Sequence, residues 1–177
     1  GRYAGWIALE GGLAGGADAI LLPEIAFDPR AVVAHCQRRE RREDDHPSAG
    51  FADGSTVICI AEGAAPLGGA MTVAQRLADS PDPIRLGGVG EHLRAMLEPH
   101  LRSEVRCTLL GHVQRGGTPT AFDRVLATRF GHAAAQLALQ GRFGQMVPLQ
   151  ADARLRVPLA EVAGRMSRVP THHLLVG

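Results

Sequence analysis

The sequence predicts a three-layer α/β domain with a mainly parallel sheet, and three observations predict it. Short apolar runs rich in β-branched residues, Ala19–Leu22, Thr56–Ala61 and Val105–Leu110, have the length and composition of buried strands. Segments with helical apolar spacing lie between them, and strands separated by helices pair in parallel through crossover connections. The third run leads into Leu109–Arg124, LLGHVQRGGTPTAFDR, where a polar loop joins a strand to a long helix. Ligands bind open α/β sheets where strands end, and the exposed N–H groups of a helix start favour anions. A phosphate is therefore the first ligand to expect.

Each element has its own signals. Trp6, Ile7, Leu9 and Leu13 form a helical stripe that ends at Gly15-Gly16, and Pro23 stops the strand Ala19–Leu22. Asp28 caps a second helix with Pro29 in its first turn, and the helix runs through Val32, Val33 and Cys36 into RRERREDDH, a solvated charge run of mixed sign. Pro47–Gly54 reads as loop. The strand Thr56–Ala61 stops at Glu62-Gly63, a loop spans Pro66–Gly69, and Met71–Asp79 reads as helix until Ser80–Pro83 breaks it. An amphipathic helix is expected over Gly90–Leu101. After Val105–Leu110 and the polar loop, Thr118 is placed to cap a helix from Pro119 to Gln140, stopped by Gly141. Two weak strands, Met146–Leu149 and Arg154–Val157, and a helix after Pro158 complete the chain. It contains no internal repeat, low-complexity tract or clear linker.

Composition narrows the function classes. A chain of 177 residues with 45% hydrophobic residues is long enough to bury a core, and a formal net charge of +1 argues against a general nucleic-acid surface. All 19 basic residues are Arg, which stay charged and grip phosphate through paired hydrogen bonds. Cys36, Cys59 and Cys107 are few and far apart, which fits reduced thiols in a cytoplasmic protein. No apolar run reaches about 18 residues, and no charged-then-apolar leader opens the sequence. GGLAGG and GGVG lack the G-x-G-x-x-G spacing, a Walker motif is impossible without Lys, and the eight His residues form no H-E-x-x-H pattern. No protein-bound metal is expected.

Four residues carry the chemistry. Arg115 follows His112 by three residues in the polar loop, so both could face one anion with the N–H groups of Gly116 and Gly117, whose lack of a side chain frees the backbone there. The bland alternative pairs Arg115 with Asp123 and packs His112 as a neutral ring. Glu62, just past a strand end, could accept hydrogen bonds from ligand hydroxyls or simply meet solvent. Arg106 stands six residues before His112, which in a strand at about 3.3 Å per residue separates their Cα atoms by roughly 20 Å. Pairing of Arg106 with Glu104 or Glu98 is its alternative.

GHVQRGGTPTAFDRVLATRFG, together with the opening GRYAGWIALEGGLAGGADAILLPEIAFD and the middle VICIAEGA, closely resembles the C-terminal half of bacterial-type 6-phosphofructokinases. The likeness runs from the first residue to about Pro158 and is nearest the actinobacterial-like branch, which includes ATP-dependent and pyrophosphate-dependent enzymes. It implies that residues 1–177 are a single sugar-phosphate-binding fragment, lacking the N-terminal half that binds nucleotide or pyrophosphate. The implied substrate is fructose 6-phosphate, with Arg106, His112 and Arg115 on its phosphate and Glu62 binding the sugar. Gly1 and Arg2 match the end of the family's Met-Gly-Arg substrate loop. Some members use an acidic residue matching Asp18 to hold an allosteric effector, although the basic neighbours of such a site are not evident.

No catalytic residue is expected in this chain, because the resemblance places the aspartate-containing and glycine-rich loops in the other half. Mg2+ with ATP, or with pyrophosphate, would be bound mainly there, and the chain alone would be inactive. The spacing of Arg106 and His112, together with the family's shared sites, implies a homo-oligomer, dimer or tetramer, in which Arg106 reaches a neighbouring subunit's site. Two readings from other classes remain: a non-catalytic sugar-phosphate or effector-binding module, and a truncated piece with no independent role.

Overall fold

The computed structural model describes residues 2–45, 55–76, 84–149 and 156–176. The chain divides into two compact units, Gly1–Leu109 with Ser167–Gly177, and Leu110–Met166.

The first unit is built on a parallel strand pair. β1 (Ala19–Leu21) and β2 (Ile58–Ile60) pair in the register Ala19↔Ile58, Ile20↔Cys59 and Leu21↔Ile60. Successive side chains of a strand face opposite ways, and the core divides accordingly. Leu21, Ile58 and Ile60 join Val32 and Cys36 of α2 (Pro29–Asp45) and Leu93 and Leu97 of α3 (Val89–Leu97). On the other face Ile20, Leu22, Cys59 and Ala61 join Ala8 and Leu9 of α1 (Trp6–Ala14) and Val169 from the C-terminal segment. The outcome is three layers, with α1 on one side of the strands and α2 and α3 on the other.

Local chemistry explains the boundaries. Asp28 Oδ1 accepts the Arg30 N–H at 2.8 Å, the N-terminal cap the sequence leads one to expect. A short 3-10 helix, Glu98–His100, extends α3 with Pro99 inside it. The Trp6 indole donates to the Ser167 carbonyl at 3.0 Å and meets the His173 ring edge-on at 5.2 Å, which fastens the C-terminal segment to α1. Asp18 accepts the Val57 N–H at 2.8 Å and pairs with Arg39 of α2 at 2.9 Å, so a basic partner stands beside it after all. The antiparallel pair β3 (Val73–Arg76) and β4 (Ile84–Leu86) also belongs to this unit.

The second unit holds a 3-10 helix, Gly111–Arg115, then α4 (Ala121–Leu139), the antiparallel pair β5 (Gln145–Met146) and β6 (Val157–Pro158), and α5 (Leu159–Val162). Its α4 has no buried residue, and Phe122 and Val125 are 70% and 61% exposed.

Three sequence-based expectations are corrected. The expected helix Met71–Asp79 contains a strand instead, because Val73 and its neighbours find a ladder partner in Ile84–Leu86, a segment too short to stand out as a strand. Val105–Leu110 forms no strand among the described residues, and Leu109 and Leu110 are exposed. The long helix starts at Ala121 and not Pro119, because Thr120 and Asp123 form a reciprocal capping box that Thr118 cannot match. Pro47–Gly54, Ser80–Pro83 and the start of the expected strand Arg154–Val157 lie outside the described residues.

The capping box gives a direct test. Thr120→Ala removes the acceptor of the Asp123 N–H and should cost about 1 kcal/mol, read by denaturant unfolding, whereas Thr118→Ala should change stability by less than about 0.5 kcal/mol. Equal effects of the two variants would return the cap to Thr118.

Candidate functional site

Two candidate residues meet at the end of β2. Ala61 donates to the Leu21 carbonyl at 2.9 Å as the last link to β1, and the Ala64 N–H returns to the Ala61 carbonyl at 2.9 Å. That turn presents Glu62. Its Oε2 lies 3.6 Å from Arg2 Nε, with about two-fifths of each side chain exposed, so the pair is reachable by a ligand. A Cβ on Gly63 would collide with the Arg2 carbonyl, so this position admits only glycine. Gly1 lies outside the described residues.

Glu24 fixes this corner through two backbone hydrogen bonds. Its Oε1 accepts the Gly5 N–H at 3.0 Å and the Val169 N–H at 2.9 Å, joining the start of α1 to the C-terminal segment. Val169 stands 145 residues from Glu24, and no sequence pattern marks such a pair.

Arg106 is 80% exposed and is held by Glu104 through two hydrogen bonds, Nε to Oε1 at 2.9 Å and Nη2 to Oε2 at 2.8 Å. The pairing lowers the Glu104 carboxyl and raises the Arg106 guanidinium from their ordinary values, so both stay charged. Glu98, the other possible partner, pairs instead with Arg94 at 2.9 Å. Since Val105–Leu110 carries no strand, the separation of roughly 20 Å expected at strand spacing loses its premise.

His112 and Arg115 lie in the second unit, both exposed on the 3-10 helix Gly111–Arg115. Three residues complete a 3-10 turn, so side chains three apart, here His112 and Arg115, stand on one face. The surrounding donors differ from expectation. Gly116 donates its N–H to the Val113 carbonyl at 3.1 Å, and Gly117, at φ 93°, takes the left-handed backbone that glycine permits. Asp123 Oδ2 accepts from both the Thr120 N–H, at 2.8 Å, and its hydroxyl, at 2.7 Å. The start of α4 is thus occupied by its own carboxylate.

Other chemistry is narrowed. Cys36, Cys59 and Cys107 are unpaired, and burial pushes each thiol up, away from the reactive thiolate. Among the described residues no group of three or more His, Cys, Asp or Glu side chains could hold a metal ion, and no helix is long and apolar enough to cross a membrane. A groove of about 500 Å³ between α2 and the end of α3, lined by Pro29, Val33, Met96 and His100 among others, contains none of the candidate residues.

Layered helices about a parallel strand pair define the first unit as an α/β fold. Comparison with known proteins makes the class specific. The family described as Phosphofructokinase matches residues 1–138, and the chain belongs to that family. It is 46% identical over 169 residues to the pyrophosphate–fructose 6-phosphate 1-phosphotransferase of Streptomyces coelicolor, covering 96% of this chain and 46% of that protein. It is 47% identical over 171 residues to the ATP-dependent 6-phosphofructokinase of Mycobacterium leprae, covering 96% and 47%. The chain therefore spans about half the length of the curated relatives it matches. Among solved structures, the pyrophosphate-dependent phosphofructokinase from Marinobacter aquaeolei superposes with a TM-score of 0.69 at 26% identity, over 97% of this chain and 40% of that one.

The Gly63 contact yields a test. Gly63→Ala must move Arg2 away from Glu62 and should destabilise the fold by about 1–3 kcal/mol. Gly11→Ala, in α1 with open space where its Cβ would sit, should stabilise by about 0.5–1 kcal/mol. Denaturant unfolding of the two variants checks both, and a neutral Gly63→Ala would remove the close approach.

Proposed function

We propose that the complete protein is a 6-phosphofructokinase of the cytoplasm, transferring a phosphoryl group from ATP to the 1-hydroxyl of fructose 6-phosphate in glycolysis, and that residues 1–177 are its single sugar-phosphate-binding part. The observation that carries this reading is the identity of 44–47% along nearly all of this chain to proteins named ATP-dependent 6-phosphofructokinase or pyrophosphate–fructose 6-phosphate 1-phosphotransferase. Exposed apolar residues along α4 support a longer polypeptide, since the surface that covers them is then the remainder of the same protein.

In this reading the residues share the work by charge. His112 and Arg115 bind the 6-phosphate from one face of their 3-10 helix, and Arg106 of a neighbouring subunit exchanges Glu104 for the same phosphate. Glu62 accepts hydrogen bonds from sugar hydroxyls, with Gly1 and Arg2 in the loop beside it. The acceptor oxygen forms a bond to the donor's terminal phosphorus as the bond to the donor's bridging oxygen breaks, releasing ADP, and the hydroxyl proton passes to a base. That base and the groups around the donor lie on residues outside this chain. Mg2+ bound with the donor would supply neutralisation of its phosphate charge, held mainly by residues outside this chain. Pyrophosphate is the alternative donor, favoured by the relatives of that specificity, and orthophosphate then leaves.

Three experiments test the proposal. The complete polypeptide, assayed with fructose 6-phosphate, Mg2+ and either ATP or pyrophosphate, should be active and prefer ATP. Arg115→Ala should raise KM for fructose 6-phosphate by about 30-fold, corresponding to about 2 kcal/mol. Inactivity with both donors would favour the non-catalytic sugar-phosphate module, and an unchanged KM would remove Arg115 from the site. For the shared site, hybrids of Arg106→Ala and His112→Ala subunits should recover part of the activity that each homo-oligomer lacks, because some of their sites regain both side chains. Proven hybrids without recovery would overturn the sharing.

A further inference from the structure

We infer that Glu40 is a positioning residue for Arg106: from within α2 its carboxylate holds the backbone at Arg102 and Ser103 and thereby sets where the Arg106 guanidinium is presented. The inference rests on the reading of Arg106 as a sugar-phosphate ligand. Among the described residues Glu40 is the one charged residue that is buried, at 8% exposure. A buried carboxylate is costly unless hydrogen-bonded, and Glu40 Oε1 accepts two backbone N–H groups, from Arg102 at 3.0 Å and from Ser103 at 2.9 Å. Burial pushes its carboxyl up, but the Ser103 N–H and hydroxyl and the Arg102 N–H outweigh that and hold it below the usual value, so it remains an anion.

The segment that Glu40 holds has few other means of fixing its shape. Residues 101–110 belong to no strand or helix. Their placement comes from side chains: Leu101 and Val105 pack on the core against α2 and α3, and Gln37 of α2 donates to the His100 carbonyl at 2.9 Å. Cys107 lies so close to Gly90 that a Cβ there would be 2.6 Å from its sulfur. Arg106 projects from between these anchors, and Glu104, its partner, directly follows the residue that Glu40 grips. A buried anion reaching from a helix to two consecutive N–H groups fixes the direction of the chain as well as its position. Without it the stretch ahead of Glu104 loses two of its backbone anchors, and the Glu104–Arg106 pair is less firmly placed between Val105 and Cys107.

The test uses the complete enzyme, with KM for fructose 6-phosphate and kcat measured for Glu40→Ala, Glu40→Gln and Arg106→Ala, and for Glu40→Ala combined with Arg106→Ala. Glu40→Ala should raise KM about fivefold with kcat within about twofold, and Glu40→Gln, which keeps an acceptor oxygen at the same reach, should recover most of the loss. In the Arg106→Ala background Glu40→Ala should change KM by less than about twofold, since the residue it positions is gone. Should Glu40→Ala not fold, Glu40→Asp, which keeps the charge but shortens the reach, carries the same cycle with an expected rise of about threefold. Equal changes in both backgrounds, or an unchanged KM in a folded Glu40 variant while Arg106→Ala raises it, would overturn the positioning role alone. An unchanged KM in Arg106→Ala would overturn the substrate reading of Arg106 and the positioning role with it.

Discussion

The parallel pairing of β1 with β2 is the constraint on which the first unit depends. Three residues of each strand fix the register, and through the two-residue period of a strand that register decides which apolar side chains face α1 and which face α2 and α3. A slip by one residue would send Leu21 and Ile60 to the wrong core and Ile20 and Cys59 to the other. The same pairing ends at Ala61, so it also determines where the Glu62 turn emerges. Asp18 guards the opposite end, since its carboxylate takes the Val57 N–H one residue before β2 begins and pairs with Arg39 across to the helix layer. Strand register, core composition and the placement of one candidate ligand residue are thus a single decision.

Carboxylates complete what the short strands leave open. With only three residues in each strand of that pair, much of the backbone nearby must find acceptors elsewhere, and an unsatisfied buried N–H costs about 1–3 kcal/mol. Asp18, Glu24 and Glu40 meet that need: together they accept five backbone N–H groups, from Val57, Gly5, Val169, Arg102 and Ser103. Four of those bonds, the two from Glu24 and the two from Glu40, fix segments that lead to Arg2 or Arg106 or join the C-terminal residues to α1. Hydrogen bonds to a charged acceptor are stronger than neutral ones, which suits positions where a loop must be held without a ladder. The acidic residues of this unit therefore shape the loops from which its basic residues project.

Legibility in the sequence followed the range of the interactions. Elements set by neighbours in the chain are readable: the Asp28 cap and Pro29 start of α2, the glycine stop after Ala14, and the strands around Ile20 and Cys59. Elements set by distant partners are not. Val73–Arg76 is a strand because Ile84–Leu86 pairs with it, and Val105–Leu110, apolar enough for a strand, has no ladder partner among the described residues. The cap of α4 was misplaced by two residues because Thr118-Pro119 carries the commoner signature, while the reciprocal bond of Thr120 and Asp123 decides the matter. Glu24 and Glu40 were missed as organising residues, since each reads as an ordinary polar position until its partners, 145 and 62 residues away, are brought beside it.

The comparisons carry one more physical consequence. Relatives named for ATP and for pyrophosphate match this chain at nearly the same identity, 47% and 46%, over the same 96% of its length. If donor choice were imposed through the half of the relatives that this chain matches, the two specificities would diverge there. Their equal likeness instead fits a division in which acceptor binding is common to both and discrimination acts on the donor alone. That division has a simple chemical basis in the proposed reaction, because the attacking hydroxyl, the transferred phosphoryl group and the charge on the sugar phosphate are the same with either donor. Only the leaving group differs, ADP or orthophosphate, so repulsion or room at the leaving group is enough to separate the two enzymes. In the proposed reaction Glu62, Arg106, His112 and Arg115 would serve the partner common to both donors, and selection on the donor would then give no reason for them to change.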